Sequence, residues 1–165
     1  MTSTEDIVRG LSDTQVAAVV EELFNDVYTE IPYEEVRSNA VAVAAVGPLT
    51  DLDGETMRAE LSPAESVRLG RLVLEQYARD PALSPLVRKA CERVAGSDDL
   101  FVSVILAVGL VANLALLVAT TEVEAQTADD GTVKWKITKK QASADVIKAI
   151  VEPIAKAAKS VVAGG

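Results

Sequence analysis

Residues 100–121 read LFVSVILAVGLVANLALLVATT, twenty-two positions without one charged side chain. A helix of that length reaches across the roughly 30 Å hydrocarbon layer of a bilayer. Inside a soluble protein the same helix has to be wrapped on every side. The rest of the chain decides between these fates. It holds several one-sided apolar patterns, each of which needs a surface to cover. A central helix surrounded by amphipathic ones meets both demands.

The flanks of the run do not orient it in a membrane. Arg79, Arg88, Lys89 and Arg93 precede it, and Lys134, Lys136, Lys139 and Lys140 follow. Four against four gives no positive-inside bias. Phe101 is the only aromatic residue near either end, so the aromatic belts of a spanning helix are missing. A buried core helix is the expectation, and Asn113 within it must then find a hydrogen-bond partner. A membrane span beginning at Leu100 and closing at Ala119 is the alternative.

A length of 165 residues suits one domain, or two small modules sharing a core. The net charge of −9 argues against nucleic acid as a partner, which requires a basic footprint. It also disfavours attraction to anionic lipid. Cys91 is the single cysteine, so no intramolecular disulfide forms. The opening residues, MTSTEDIVRG, lack the basic and apolar regions of a secretory signal. A cytoplasmic protein is expected, with membrane association as the alternative.

The charges also mark a seam. Residues 1–100 carry nineteen acids against nine bases, whereas residues 101–165 carry six acids against seven lysines. All eight arginines precede Val94. The asymmetry suggests an acidic amphipathic helical module over 1–96. A second module over 97–165 would hold the apolar helix, a hairpin and a tail helix, and would share one core with the first.

Local patterns supply the elements. Ser12 and Gln15 have capping-box spacing, and Val16, Val19, Val20, Leu23 and Val27 form a helical stripe behind them. A second helix is expected from Pro32 to Val46, stopped by Gly47-Pro48 and followed by an acidic loop. Ser62-Pro63-Ala64-Glu65 opens a third. A fourth runs from Pro85 to Ala95. Ser97, Asp98 and Asp99 suit the start of the apolar helix, expected to end near Leu116.

From Val118 the period changes to two. Asp129-Asp130-Gly131 marks a turn between two strands, with Glu122 and Glu124 expected opposite Lys136 and Lys134. Trp135 then falls on the inner face. Ser143 opens a last helix, which Pro153 should kink.

The sequence carries little chemistry. Histidine is absent, and no phosphate loop or nucleophile elbow occurs. No catalytic residue, cofactor or metal site is expected. Asp51, Asp53 and Glu55 read as a solvated acidic turn rather than a calcium loop. Cys91 reads as buried, and Gly164-Gly165 as a frayed tail.

The expected fold is mainly α: a helical bundle of five or six helices around an apolar central helix, with one β-hairpin near the C-terminus. The expected function is a non-catalytic interaction, assembly or regulatory module of the cytosol, with a protein partner or self-association. Val133, Lys134, Trp135 and Lys136 are the candidate interaction residues, because a lone two-stranded ribbon has unpaired edges. The alternative is a membrane-inserting or membrane-anchored protein. Its pattern is similar to toxins and cell-death proteins that conceal an apolar helix in a soluble bundle. Leu106, Val108, Leu110 and Asn113 mark that core or membrane segment.

Overall fold

The computed structural model describes residues 2–96 and 105–164, and its fold is mainly α with one antiparallel hairpin near the C-terminus. The first helix, α1 (Thr4–Arg9), is capped by Ser3. The longer α2 (Asp13–Glu30) carries the expected capping box. The Ser12 amide donates to Gln15 Oε1 at 2.9 Å, and the Gln15 amide to Ser12 Oγ at 3.3 Å. Its stripe of Val16, Val20, Leu23 and Val27 is fully buried.

The next stretch departs from expectation. The helix after Pro32, α3 (Tyr33–Val41), stops well before Val46. Gly47-Pro48 does not terminate a helix here but starts one, α4 (Gly47–Thr50), after a 3₁₀ turn at Ala44–Val46. Proline suits a first helical turn because its missing amide is not needed there. The acidic loop likewise contains α5 (Gly54–Arg58), whose N-cap Asp53 accepts from the Thr56 amide at 2.7 Å.

The expected pair of helices then follows as α6 (Pro63–Arg79) and α7 (Ser84–Ala95). Ser62 Oγ accepts from the Glu65 amide at 3.1 Å, but the Glu65 carboxylate pairs with Arg68 instead of closing the box. Gly70 lets α6 approach α2 closely: a Cβ there would lie 2.8 Å from Val16 Cγ1.

The apolar run does not form one helix from Asp98 to Leu116. Residues 97–104 lie outside the described residues, and 105–107 are not helical. Ala107 forms an antiparallel bridge with Glu60. The Leu61 amide donates to the Leu106 carbonyl, and the Val108 amide to the Ala59 carbonyl, both at 2.9 Å. Ser66 Oγ, fully buried, accepts from the Leu106 amide at 2.8 Å. These partners satisfy the backbone in extended form, so the helix α8 begins only at Val108 and continues to Thr120. Its thirteen residues measure about 20 Å at 1.5 Å each. Among the described residues, no helix is long and apolar enough to cross a membrane.

The helix α8 is the centre of the bundle. Residues Val111, Leu114, Leu116 and Leu117 are fully buried. Burying each such side chain contributes about 1.5–3 kcal/mol. One apolar core extends from Val8 to Ala158 and draws on both sides of the charge seam. Several arginines lash the N-terminal elements together. Arg71 reaches the Leu11 carbonyl at 2.6 Å, Arg88 the Thr2 carbonyl at 2.8 Å, and Arg93 pairs with Glu22 and Asp26.

After the hairpin, α9 (Ala144–Val146) passes through a π turn (Ile147–Val151) into α10 (Glu152–Gly164). The Glu152 amide donates to the Ile147 carbonyl, five residues back. The expected disruption at Pro153 is this widened turn: Pro153 has no amide for the Ala149 carbonyl, and the ladder lengthens just ahead of it.

Candidate interaction surface

The last turn of α8 delivers the chain directly into a ribbon of β1 (Thr121–Thr127) and β2 (Val133–Lys139). Polar contacts fasten its base. The Thr120 hydroxyl donates to the Leu116 carbonyl at 2.6 Å, and the Lys140 amide to the Thr120 carbonyl at 2.8 Å. Asn39 Nδ2 reaches Thr121 Oγ1 at 3.4 Å. Val123 is buried, and Trp135 and Ile137 pack against the core from the same face. Trp135 thus takes the inward position that the alternation assigns it.

The tip is a three-residue loop. The Gly131 amide donates to the Ala128 carbonyl at 2.9 Å, and the Ala128 amide to the Thr132 carbonyl at 2.8 Å. Gly131 adopts φ +86°, a left-handed conformation that glycine takes without steric cost. The Asp130 carboxylate accepts from the Thr132 hydroxyl at 2.6 Å and its amide at 3.0 Å. These bonds hold the Asp130 carboxyl below the usual carboxylate range.

This loop sets a register different from the expected one. Glu124 lies opposite Lys136, but Glu122 faces Thr138 and Lys134 faces Gln126. The shift is one pleat period, so inner and outer faces are unchanged. Neither of the two expected cross-strand charge pairs forms, and Glu124 with Lys136 takes their place.

The bonded rungs at Thr120–Lys140 and Ala128–Thr132 fix the alternation. Glu122, Glu124 and Gln126 direct their amides and carbonyls toward β2. Val123 and Ala125 direct theirs to the opposite side, where no further strand pairs among the described residues. Along this side of β1 runs a cleft of about 720 Å³. Residues 122–126 form one wall, Asp80, Pro81 and Ala82 the other, and Lys140 also borders it. Nothing in the sequence links Asp80 to the hairpin forty residues later; the bundle brings them together. On β2, Val133 is 46% exposed and Lys134 and Lys136 are exposed.

The other predicted residues are core. Leu106 is buried in the extended stretch, not in the helix. Val108 is buried at the start of α8, and Leu110 is half-buried. Asn113 Nδ2 donates to the Gly109 carbonyl at 2.7 Å, whereas its buried Oδ1 has no hydrogen-bond partner among the described residues. The expected pairing is therefore only half made.

Further chemistry is sparse. Cys91 is buried, and burial pushes its thiol up to about 11. Among the described residues, no group of three or more acidic, cysteine or histidine side chains is placed to hold a metal. Comparison with protein-family models, with curated proteins and with solved structures finds no match.

Proposed function

We propose that this chain is a non-catalytic interaction or assembly module of the cytosol, with the β-hairpin as its docking element. The observation that carries the reading is a ribbon anchored at its base and inner face, with backbone edges that no other described strand pairs. An unpaired edge recognises another chain through main-chain hydrogen bonds, and its flanking side chains select the partner. The apolar run supports this reading in a second way. Its described part is consumed by the bundle, and it leads without a loop into β1.

A photo-crosslinking side chain placed at Val133 tests the reading in the cells that make the protein. The same group at the exposed Glu92 of α7 is the control. Discrete protein adducts from position 133, absent from position 92, are expected. A chain that gives none at position 133 overturns the proposal.

A further inference from the structure

We infer that the cleft beside β1 receives an extended, lysine- or arginine-bearing segment of a partner protein, which adds to the ribbon as a third strand. The inference rests on the interaction-module reading and names the edge and the chemistry of its occupant.

Three features place the segment there. First, the backbone groups of Val123 and Ala125 point toward this side of the ribbon and meet no other strand among the described residues. An added strand lies about 4.8 Å away and pairs with both. Second, the edge has an opposing wall. The turn at Asp80, Pro81 and Ala82 faces residues 122–126 across about 720 Å³, an open cleft alongside an unpaired strand. The β2 edge has Lys134 and Lys136 beside it, which guard against indiscriminate pairing.

Third, the charge selects a basic occupant. Asp80, Glu122 and Glu124 border the cleft against Lys140 alone. The Asp80 carboxylate accepts from the Ala82 amide at 2.9 Å and the Leu83 amide at 3.3 Å, which fixes it on its wall. Glu122 and Glu124 share the outer face of β1, two residues apart. A neighbouring strand with basic residues at alternate positions sets its charges beside theirs, whereas an acidic strand is repelled. The net charge of −9 on the whole chain favours the same sign of partner at long range.

The test uses the intact chain and two synthetic seven-residue probes, Thr-Lys-Val-Lys-Val-Lys-Thr and its counterpart with glutamate for each lysine. Binding is followed by fluorescence polarisation, and amide exchange of Val123 and Ala125 by nuclear magnetic resonance. The lysine probe is expected to bind at least about tenfold more tightly than the glutamate probe, and to slow exchange at both amides. The double variant Glu122→Lys, Glu124→Lys should reverse the preference. Ala125→Pro removes an outward amide without touching a ladder bond, and should abolish binding while helical circular dichroism is retained.

Equal affinity for the two probes overturns the inference, as does no binding of either. Protection of Trp135 and Ile137 instead would move the docking edge to β2. Protection of Val123 and Ala125 without any probe, in a species that light scattering shows to be a dimer or larger, would make a second copy the occupant. Adducts at position 133 combined with failed probe binding would reject this inference and leave the interaction-module reading standing; failure of both would reject both.

Discussion

The hydroxyl of Tyr77, on α6, donates to the main-chain carbonyl of Leu114, in the middle of α8, at 2.7 Å. Tyr28, on α2, makes the same bond to the neighbouring Asn113 carbonyl, also at 2.7 Å. A helix built largely from valine, leucine and alanine offers its neighbours few polar side chains. The two tyrosines use its backbone instead, which fixes the height of α8 relative to α2 and α6. Tyr77 is fully buried, and burial holds its hydroxyl protonated well above the usual range.

Replacing Tyr77 with Phe should therefore cost about 0.5–1.5 kcal/mol, the net worth of one neutral hydrogen bond. Urea denaturation followed by circular dichroism measures this. The melting slope should stay unchanged, because the apolar ring remains. An unaltered midpoint would mean that the bond does not position α8.

Gly109→Ala should destabilise more than helix propensity would suggest. A Cβ at that position would lie 2.8 Å from the Met57 carbonyl oxygen, a backbone atom that moves only with α5. Alanine is the better helix former by about 1 kcal/mol. Overpacking of about 1–3 kcal/mol offsets that gain, so the variant should be neutral at best and less stable on balance. A raised melting temperature would contradict the close packing of α5 on α8.

Asn113→Leu carries the opposite expectation. The change removes a buried carbonyl oxygen that has no hydrogen-bond partner among the described residues. Its removal recovers a desolvation cost of about 1–3 kcal/mol, which offsets the roughly 0.5–1.5 kcal/mol lost with the Nδ2 bond to the Gly109 carbonyl. Thermal melting should show no loss. A large loss would show that Oδ1 is satisfied in the folded protein.

The cap at Asp53 gives a pH dependence of defined sign. The Thr56 amide and hydroxyl hold the Asp53 carboxyl below its ordinary value. Its stabilisation is therefore complete above the unfolded carboxylate value near 3.9, and is lost as pH falls through the lowered folded value. The melting-temperature gap between the parent and Asp53→Ala should be constant at neutral pH and close in strong acid. A gap independent of pH down to about 2 would exclude the ionised cap.

How far the sequence foretold this structure depended on how local each determinant is. The capping box at Ser12, the stripe on α2 and the alternation placed from Val118 are set by near neighbours, and each predicted its element, although α8 runs on to Thr120 before the strand begins. The onset of α8 was different. Leu106 is held extended by Leu61 and Ser66, residues forty or more positions away, and its apolar side chain suits helix and strand alike. The hairpin register turned on a left-handed Gly131 in a three-residue loop, a choice that a turn motif alone does not resolve. At the candidate site, Trp135 and the lysines were visible as a pattern. Asp80 was not, because the wall it forms exists only once α6, α7 and the ribbon have packed.

The most direct test of the account is amide exchange in the isolated chain at neutral pH, read residue by residue along β1. Glu122 and Glu124 should exchange slowly, because their amides lie in the ladder, and Val123 and Ala125, whose amides have no ladder partner, should exchange faster than both. Uniformly rapid exchange would mean that the ribbon is not formed. Uniformly slow exchange would mean that the edge is already occupied, and either result would contradict a preformed, open docking strand.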